Sequence, residues 1–406
     1  MNGSGRRKCQ SWIGHFINYT VGIEAAEIFR KWAAIGTISA VLEQKVWAVN
    51  SKGVLYPNMY LFRVGHPGIG KTLTIKTAAG FYRELPDYHL SPTSMSMASL
   101  VDALVDSKRT FIRLPEGPLE YNSMWIVADE LSAFMHKHED EIIGGLTTFY
   151  DVTVPYSQKR RHSLASKDGR IDIKRPQLSI LSGTTPSNLI RFMPEDAWDQ
   201  GFTSRIMMIF SDERIISDDF FANSVADMPR DMLHDLALIN SLSGPFEATE
   251  DFRNAINNWR KLGQEPIPDH PKLTHYNTRR LAHLLKLSMI AAVDQGNALL
   301  LTKAAFNTAM GWLLEAEVFM PDIFKAGMVS ADSKAMDEIY HYIIGSDLKR
   351  TGVRDGKVVN RAKEILPLQS IDSAMKTMER SGMIRCVGID TITGQKLWSA
   401  VIKAQD

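Results

Sequence analysis

Apolar positions change their spacing twice along the chain. Between Ile23 and Val49 they recur at helical intervals, through Phe29, Trp32, Ala33, Ile38 and Val41, so residues 1–55 read as a mostly helical segment. From about Pro57 short, continuously apolar runs take over: Tyr60–Val64, Met124–Ala128, Leu178–Leu181 and Ile206–Phe210. Strands covered on both faces have this pattern. Their alternation with helical stretches predicts an α/β fold over 56–228, a parallel sheet flanked by helices. Beyond about Asp218 the strand signal stops, and residues 229–330 read as helices. There Leu281, Leu284, Leu285 and Ser288 share one helical face and Phe306, Met310 and Leu313 another, with Thr302 placed to cap the second helix. The last stretch, 331–406, predicts helices near 333–345, 357–365 and 369–381. Strands near 383–388 and 395–401 follow, joined by a hairpin around Thr393-Gly394.

Two polar segments follow apolar strands directly. GHPGIGKT, Gly65 to Thr72, fits G-x-x-x-x-G-K-[ST], with strand Tyr60–Val64 before it and a helical run after it. Gly65, Gly68 and Gly70 let the backbone curl so that its N–H groups face an anion, and the next helix presents its N-terminus to the same charge. Lys71 supplies a point charge for the β- and γ-phosphates of ATP, and Thr72 a hydroxyl for Mg²⁺. In the second segment, Asp129 and Glu130 close the run VADE at the carboxyl end of a strand, where open α/β sheets bind ligands. Asp129 suits the metal and Glu130 the proton of an attacking water.

Composition narrows the setting. The 406 residues have room for two or three domains, and the formal net charge is +1, so nucleic-acid contacts would need local basic patches. Cys9 and Cys386, the two cysteines, argue against a disulfide scaffold or zinc knuckle and suit a reducing cytosol. No run reaches the roughly 18 apolar residues of a membrane span. Gln10, His15 and Asn18 interrupt the stretch after Arg6-Arg7-Lys8, so no signal peptide is expected.

The order of motifs across about residues 57–320 resembles that of AAA+ P-loop ATPases, in particular the minichromosome maintenance and superfamily 3 helicase group and the helicase-like ATPases of phages and mobile elements. LSILSGTTP (178–186) is similar to the sensor 1 strand, with Thr185 at the sensing position where many relatives carry Asn; Thr184 and Asn188 are alternatives. FTSRI (202–206) resembles the element that carries an arginine finger, here Arg205, and TRRLAHLLKLSMIAA (278–292) the sensor 2 helix, here Arg279, with Arg280 adjacent. The resemblance implies an AAA+ core over 56–228, a helical lid over 229–330 and a winged-helix-like domain over 331–406. It further implies a homo-oligomeric ring, a hexamer, with Arg205 reaching a neighbour's ATP, and a cytoplasmic setting in a bacterial or phage-infected cell.

The expected substrate is single-stranded or forked DNA. In relatives a pore hairpin lies between the Asp-Glu pair and sensor 1. The corresponding stretch, 155–176, carries Lys159, Arg160, Arg161, Lys167 and Arg170, a turn signal at Asp168-Gly169, and strand-like alternation from Arg170 to Lys174. Lys376, Arg380 and Lys396 are candidate contacts in the last domain. Primase or polymerase functions would reside on separate chains. A helicase loader or replication initiator is the alternative reading.

Overall fold

The computed structural model describes residues 6–401 except 93, 114, 134–139, 153–154, 160–169, 194–197, 199–200, 217–228, 297 and 348–350. The architecture is mixed α/β, in two compact units, 1–324 and 325–406. Segments 1–55 and 56–228 both fall inside the first unit.

Helix α1 (Trp12–Tyr19) starts at Ser11, whose hydroxyl accepts from the Gly14 amide. Helix α2 (Glu27–Leu42) is buried almost all round, as an internal helix must be. It stops earlier than the spacing of apolar residues suggests. Glu43 adopts φ 50°, and its buried carboxylate accepts from the Tyr121 hydroxyl at 2.6 Å and from the Arg109 guanidinium. The apolar residues beyond it belong to a hairpin, β1 (Val46–Asn50) and β2 (Gly53–Leu55).

The central sheet is built from β3 (Tyr60–Val64), β4 (Lys108–Arg113), β5 (Gly117–Ala128), β8 (Pro176–Thr184) and β9 (Ile206–Phe210), in the order β4-β5-β8-β3-β9. All neighbours are parallel except β4 and β5. Tyr60, Phe62, Ile126, Ile180 and Met207 are fully buried within it. Strand β5 is longer than its apolar run because its first half pairs with β4 as an antiparallel ribbon whose residues alternate in exposure. Between strands lie α3 (Lys71–Arg83), α4 (Met97–Asp106), α5 (Asp140–Tyr150) and α6 (Pro186–Phe192). A separate ladder joins β6 (Tyr156–Lys159) and β7 (Arg170–Ile173).

The rest of the first unit is mainly helical, with α7 (Arg230–Asn240), α8 (Glu250–Lys261), α9 (Thr274–Gln295) and α10 (Lys303–Val318). Three two-residue strands also occur there: β10 (Gly244–Pro245) beside β1, and β11 (Glu247–Ala248) beside β12 (Leu300–Leu301). Thr302 caps α10, accepting from the Ala305 amide. The segment before α1 is tied to this layer. The Lys8 and Cys9 amides donate to Asp235, and the Ser11 hydroxyl and Ile13 amide donate to Asp294.

Helix α11 spans Met320–Ser346. The second unit has β13 (Val353–Arg354), α12 (Asp355–Ala362), α13 (Leu368–Arg380), β14 (Ile384–Ile389) and β15 (Lys396–Ala400), its sheet ordered β13-β15-β14. Its core gathers Ile339, Ile343, Val358, Ile371, Met378 and Trp398. At the β14–β15 turn Asp390 accepts from the Ile392 and Thr393 amides, and Gly394 sits at φ 69°.

His283 on α9 is fully buried, with Nε2 2.9 Å from the Ser204 carbonyl. Burial pushes its pKa from 6.5 down to about 3, so the folded ring stays neutral. The unfolded chain takes up that proton near pH 6.5. The stabilisation is therefore complete above about pH 6.5 and is lost as pH falls toward 3. His283→Gln should melt with a shallower fall in Tm between pH 7 and pH 4 than the wild type; parallel curves would contradict this.

Candidate functional site

The parallel register sets the site. Val64 pairs with Thr184, and Ala128 with Ser182, so the carboxyl ends of β3, β5 and β8 meet at one edge of the sheet. The loop after β3 begins there, with the Gly65 amide donating to the Thr184 carbonyl at 3.1 Å. Gly68, Gly70, Lys71, Thr72, Asp129, Glu130 and Thr185 all line one cleft of about 530 Å³, together with Pro67, Ile69 and Leu73.

Each glycine has its own reason. Gly68 and Gly70 lie at φ 81° and 73°, a left-handed backbone that other residues rarely adopt. A Cβ on Gly70 would stand 2.0 Å from the Glu24 carbonyl, and one on Gly65 would stand 2.5 Å from the Ser211 carbonyl. Gly183, on β8, allows the Asp129 carbonyl to approach, since a Cβ there would come within 2.6 Å.

Lys71 opens α3 and folds over the loop, donating to the Gly65 and His66 carbonyls at 2.6 and 2.7 Å. Burial lowers its pKa to about 8, with Glu130 opposing the shift. Thr72 is exposed at the helix start. Asp129 faces Lys76 across 3.6 Å. Glu130 accepts from the Asn188 amide at 3.3 Å. Thr185 reaches the cleft, but its hydroxyl also caps α6, accepting from the Asn188 amide nitrogen. Of the residues considered for sensing, Asn188 is the one whose side chain touches Glu130.

Arg205 and Arg279 lie elsewhere. Tyr60 pairs with Ile206, so Arg205 sits at the amino end of β9, whereas the glycine loop follows the carboxyl end of β3. One five-residue strand, roughly 16 Å, separates those edges. Arg205 is largely buried; its guanidinium pairs with Asp151 and donates to the Gly201 carbonyl at 2.7 Å. Arg279 shares the Asp151 carboxylate at 3.5 Å and keeps 30% of its side chain exposed. Close by, Lys286 is buried against the Tyr150 ring and donates to Asn58, and burial drives its pKa strongly down. Arg280 is committed to structure instead. It grips Glu317 through Nε and Nη2 at 2.8 and 2.7 Å, and donates to the Pro266 carbonyl.

Of the basic hairpin residues, Lys159 and Arg170 face each other at the end of the β6–β7 ladder, both exposed. Arg170 pairs with Asp172 at 2.7 Å. Arg160, Arg161, Lys167 and the Asp168-Gly169 turn lie outside the described residues. On the second unit Lys376, Arg380 and Lys396 are exposed.

No family model and no curated protein matches the chain. Its chemistry rests on its own geometry.

That geometry suits a polyanion with a divalent cation. Left-handed glycines turn the loop beside a lysine, and a hydroxyl and two carboxylates stand around the same cleft. Among the described residues no group of three or more His, Cys, Asp or Glu could hold a metal alone. A cation here would draw on Thr72, Asp129, phosphate oxygens and water, the mixed shell that Mg²⁺ prefers. Several elements were not read from the sequence: the α1–α2 loop Gly22–Glu24, which lines the cleft, Lys76 beside Asp129, Arg63, buried on β3, and, at the opposite edge, Asp151. Arg63 had a signal, being the one charge in the run YLFRV.

The two adjacent arginines should separate by stability. Arg280→Ala leaves the buried Glu317 without its cation, with the Tyr276 hydroxyl still donating to it, and should cost about 3–5 kcal/mol, read as a fall in Tm. Arg279→Ala removes a half-exposed contact and should leave Tm within a degree or two, about 0–1 kcal/mol. Equal losses would refute the assignment of Arg280 to structure.

Proposed function

We propose that the chain is an ATP hydrolase of the AAA+ type, working as a DNA helicase or translocase in the replication of a phage or mobile element. The observation that carries this reading is the single cleft uniting Gly68–Thr72 with Asp129 and Glu130 at the carboxyl edge of a parallel sheet. Lys71 would pair with the β- and γ-phosphates, and the loop amides with the same oxygens. Thr72 and Asp129 would hold Mg²⁺, which when bound neutralises phosphate charge. Glu130 would accept a proton from the attacking water, and its contact with Asn188 supports a role for that amide in orienting it.

Arg205 and Arg279 sit at the opposite edge from their own glycine loop, which favours a role toward a neighbouring copy in a ring over a role in their own cleft. For Arg205 such a role requires the guanidinium to leave Asp151. A guanidinium reaching transferring phosphoryl oxygens is worth ~10³–10⁵ in rate. The exposed Lys159 and Arg170 at the end of the hairpin support contact with the backbone of single-stranded DNA. Among the described residues no helix is long and apolar enough to cross a membrane.

Lys71→Ala should abolish ATP turnover by the purified chain, and unchanged turnover would remove the site. Arg205→Ala should still assemble yet fail to hydrolyse ATP, and mixing it with wild-type chains should restore part of the activity. Normal hydrolysis by the variant alone would exclude a finger supplied in trans. A forked-DNA unwinding assay with ATP and Mg²⁺ tests the motor reading. DNA-stimulated hydrolysis without strand displacement would replace it with a loader or initiator.

A further inference from the structure

Arg63 is an unusual residue for its place. It sits on the interior strand β3, between β8 and β9 and two residues before Gly65, and is wholly buried. Its hydrogen bonds run to neutral oxygens: the Lys71 carbonyl at 2.9 Å, the Thr74 hydroxyl and, at 3.5 Å, the Phe29 carbonyl. Its Nε has no partner. The Thr74 hydroxyl in turn donates to the Lys71 carbonyl at 2.9 Å, so the guanidinium underpins the first turn of α3 from behind. Burying a cation without a paired carboxylate is costly, and a neutral side chain of similar length would avoid the cost.

We propose that Arg63 is a positioning residue of the phosphate loop, a buried cation that fixes the first turn of α3 and biases the cleft toward the most highly charged phosphate ligands. The inference rests on the nucleotide reading of the cleft and specifies how that cleft grades its ligands. The helix N-terminus and Lys71 already favour an anion on the solvent side. Arg63 adds a fixed positive charge on the protein side, where water does not screen it. Coulomb energy grows with ligand charge, so its contribution rises from mono- to di- to triphosphate. Burial lowers the guanidinium pKa to about 9, against the steadying charge of Asp129, which leaves it protonated at neutral pH.

A purely mechanical staple would act differently. Its loss would weaken every ligand alike, and a lysine, which cannot reproduce the guanidinium fork, would fail as badly as a neutral residue. The test is titration calorimetry on the full chain with Mg²⁺ and ATP, ADP, AMP or inorganic triphosphate, for the wild type, Arg63→Lys and Arg63→Met. Arg63→Met should lose about tenfold or more in ATP and triphosphate affinity, less for ADP and least for AMP. Arg63→Lys should keep most of the wild-type ratio of ATP to AMP affinity. A folded Arg63→Met with wild-type affinities, or losses independent of ligand charge in both variants, would overturn the proposal. If Arg63→Met does not fold, Arg63→Lys decides: ATP and triphosphate affinities close to those of the wild type support it, and an equal fall for every ligand or a collapse of the ATP-to-AMP ratio would overturn it. A wild-type chain that binds neither ATP nor triphosphate would remove the nucleotide reading itself, and this inference with it.

Discussion

The parallel ladder between β3 and β8 is the constraint on which the site depends. Together with the β5–β8 ladder it brings the glycine loop, the Asp129-Glu130 pair and Thr185 to one edge although more than a hundred residues separate the first from the last. The register leaves little tolerance. A slip of one residue would turn every side chain of β3 to the other face and withdraw Gly65 from the Thr184 carbonyl. Gly183 shows how close the layers lie at this edge, since the Asp129 backbone passes where any larger residue would place its Cβ.

Much of this edge was legible in the sequence because each part has a local signature. An apolar run followed by spaced glycines and a lysine has few structural solutions, and a carboxylate pair after a second apolar run sits at a strand end by the same logic. The four apolar runs all became neighbouring strands of one sheet. The contacts that escaped the sequence are those made between distant segments. Nothing in Gly22–Glu24 announces that its backbone lies against Gly70, and Asp151 shows its meaning only once α5, β9 and α9 converge on it.

The helix over Ile23–Val49 illustrates a second limit. Apolar spacing is carried by helix and strand alike when a segment is buried throughout, so it cannot report where α2 ends. The end is set by Glu43, whose side chain is captured by Arg109 and Tyr121 from β4 and β5. Long-range pairing overrides local preference there. The same principle separates Arg279 from Arg280. Neighbours in sequence, they point to different partners, and only the position of Glu317 shows which one is held in the interior.

Helix α9 is pinned at three levels. Asp294 near its end is bonded to the Ser11–Ile13 backbone and hydroxyl, Lys286 at its middle is lodged on Asn58 beside β3, and His283 is bonded to the segment before β9. All three attachments are buried or nearly so, and breaking any one exposes an unsatisfied polar group to an apolar interior. The helical layer and the sheet of the first unit therefore act as one stiff body around this shaft. A slide of that layer along the sheet would have to break all three attachments together.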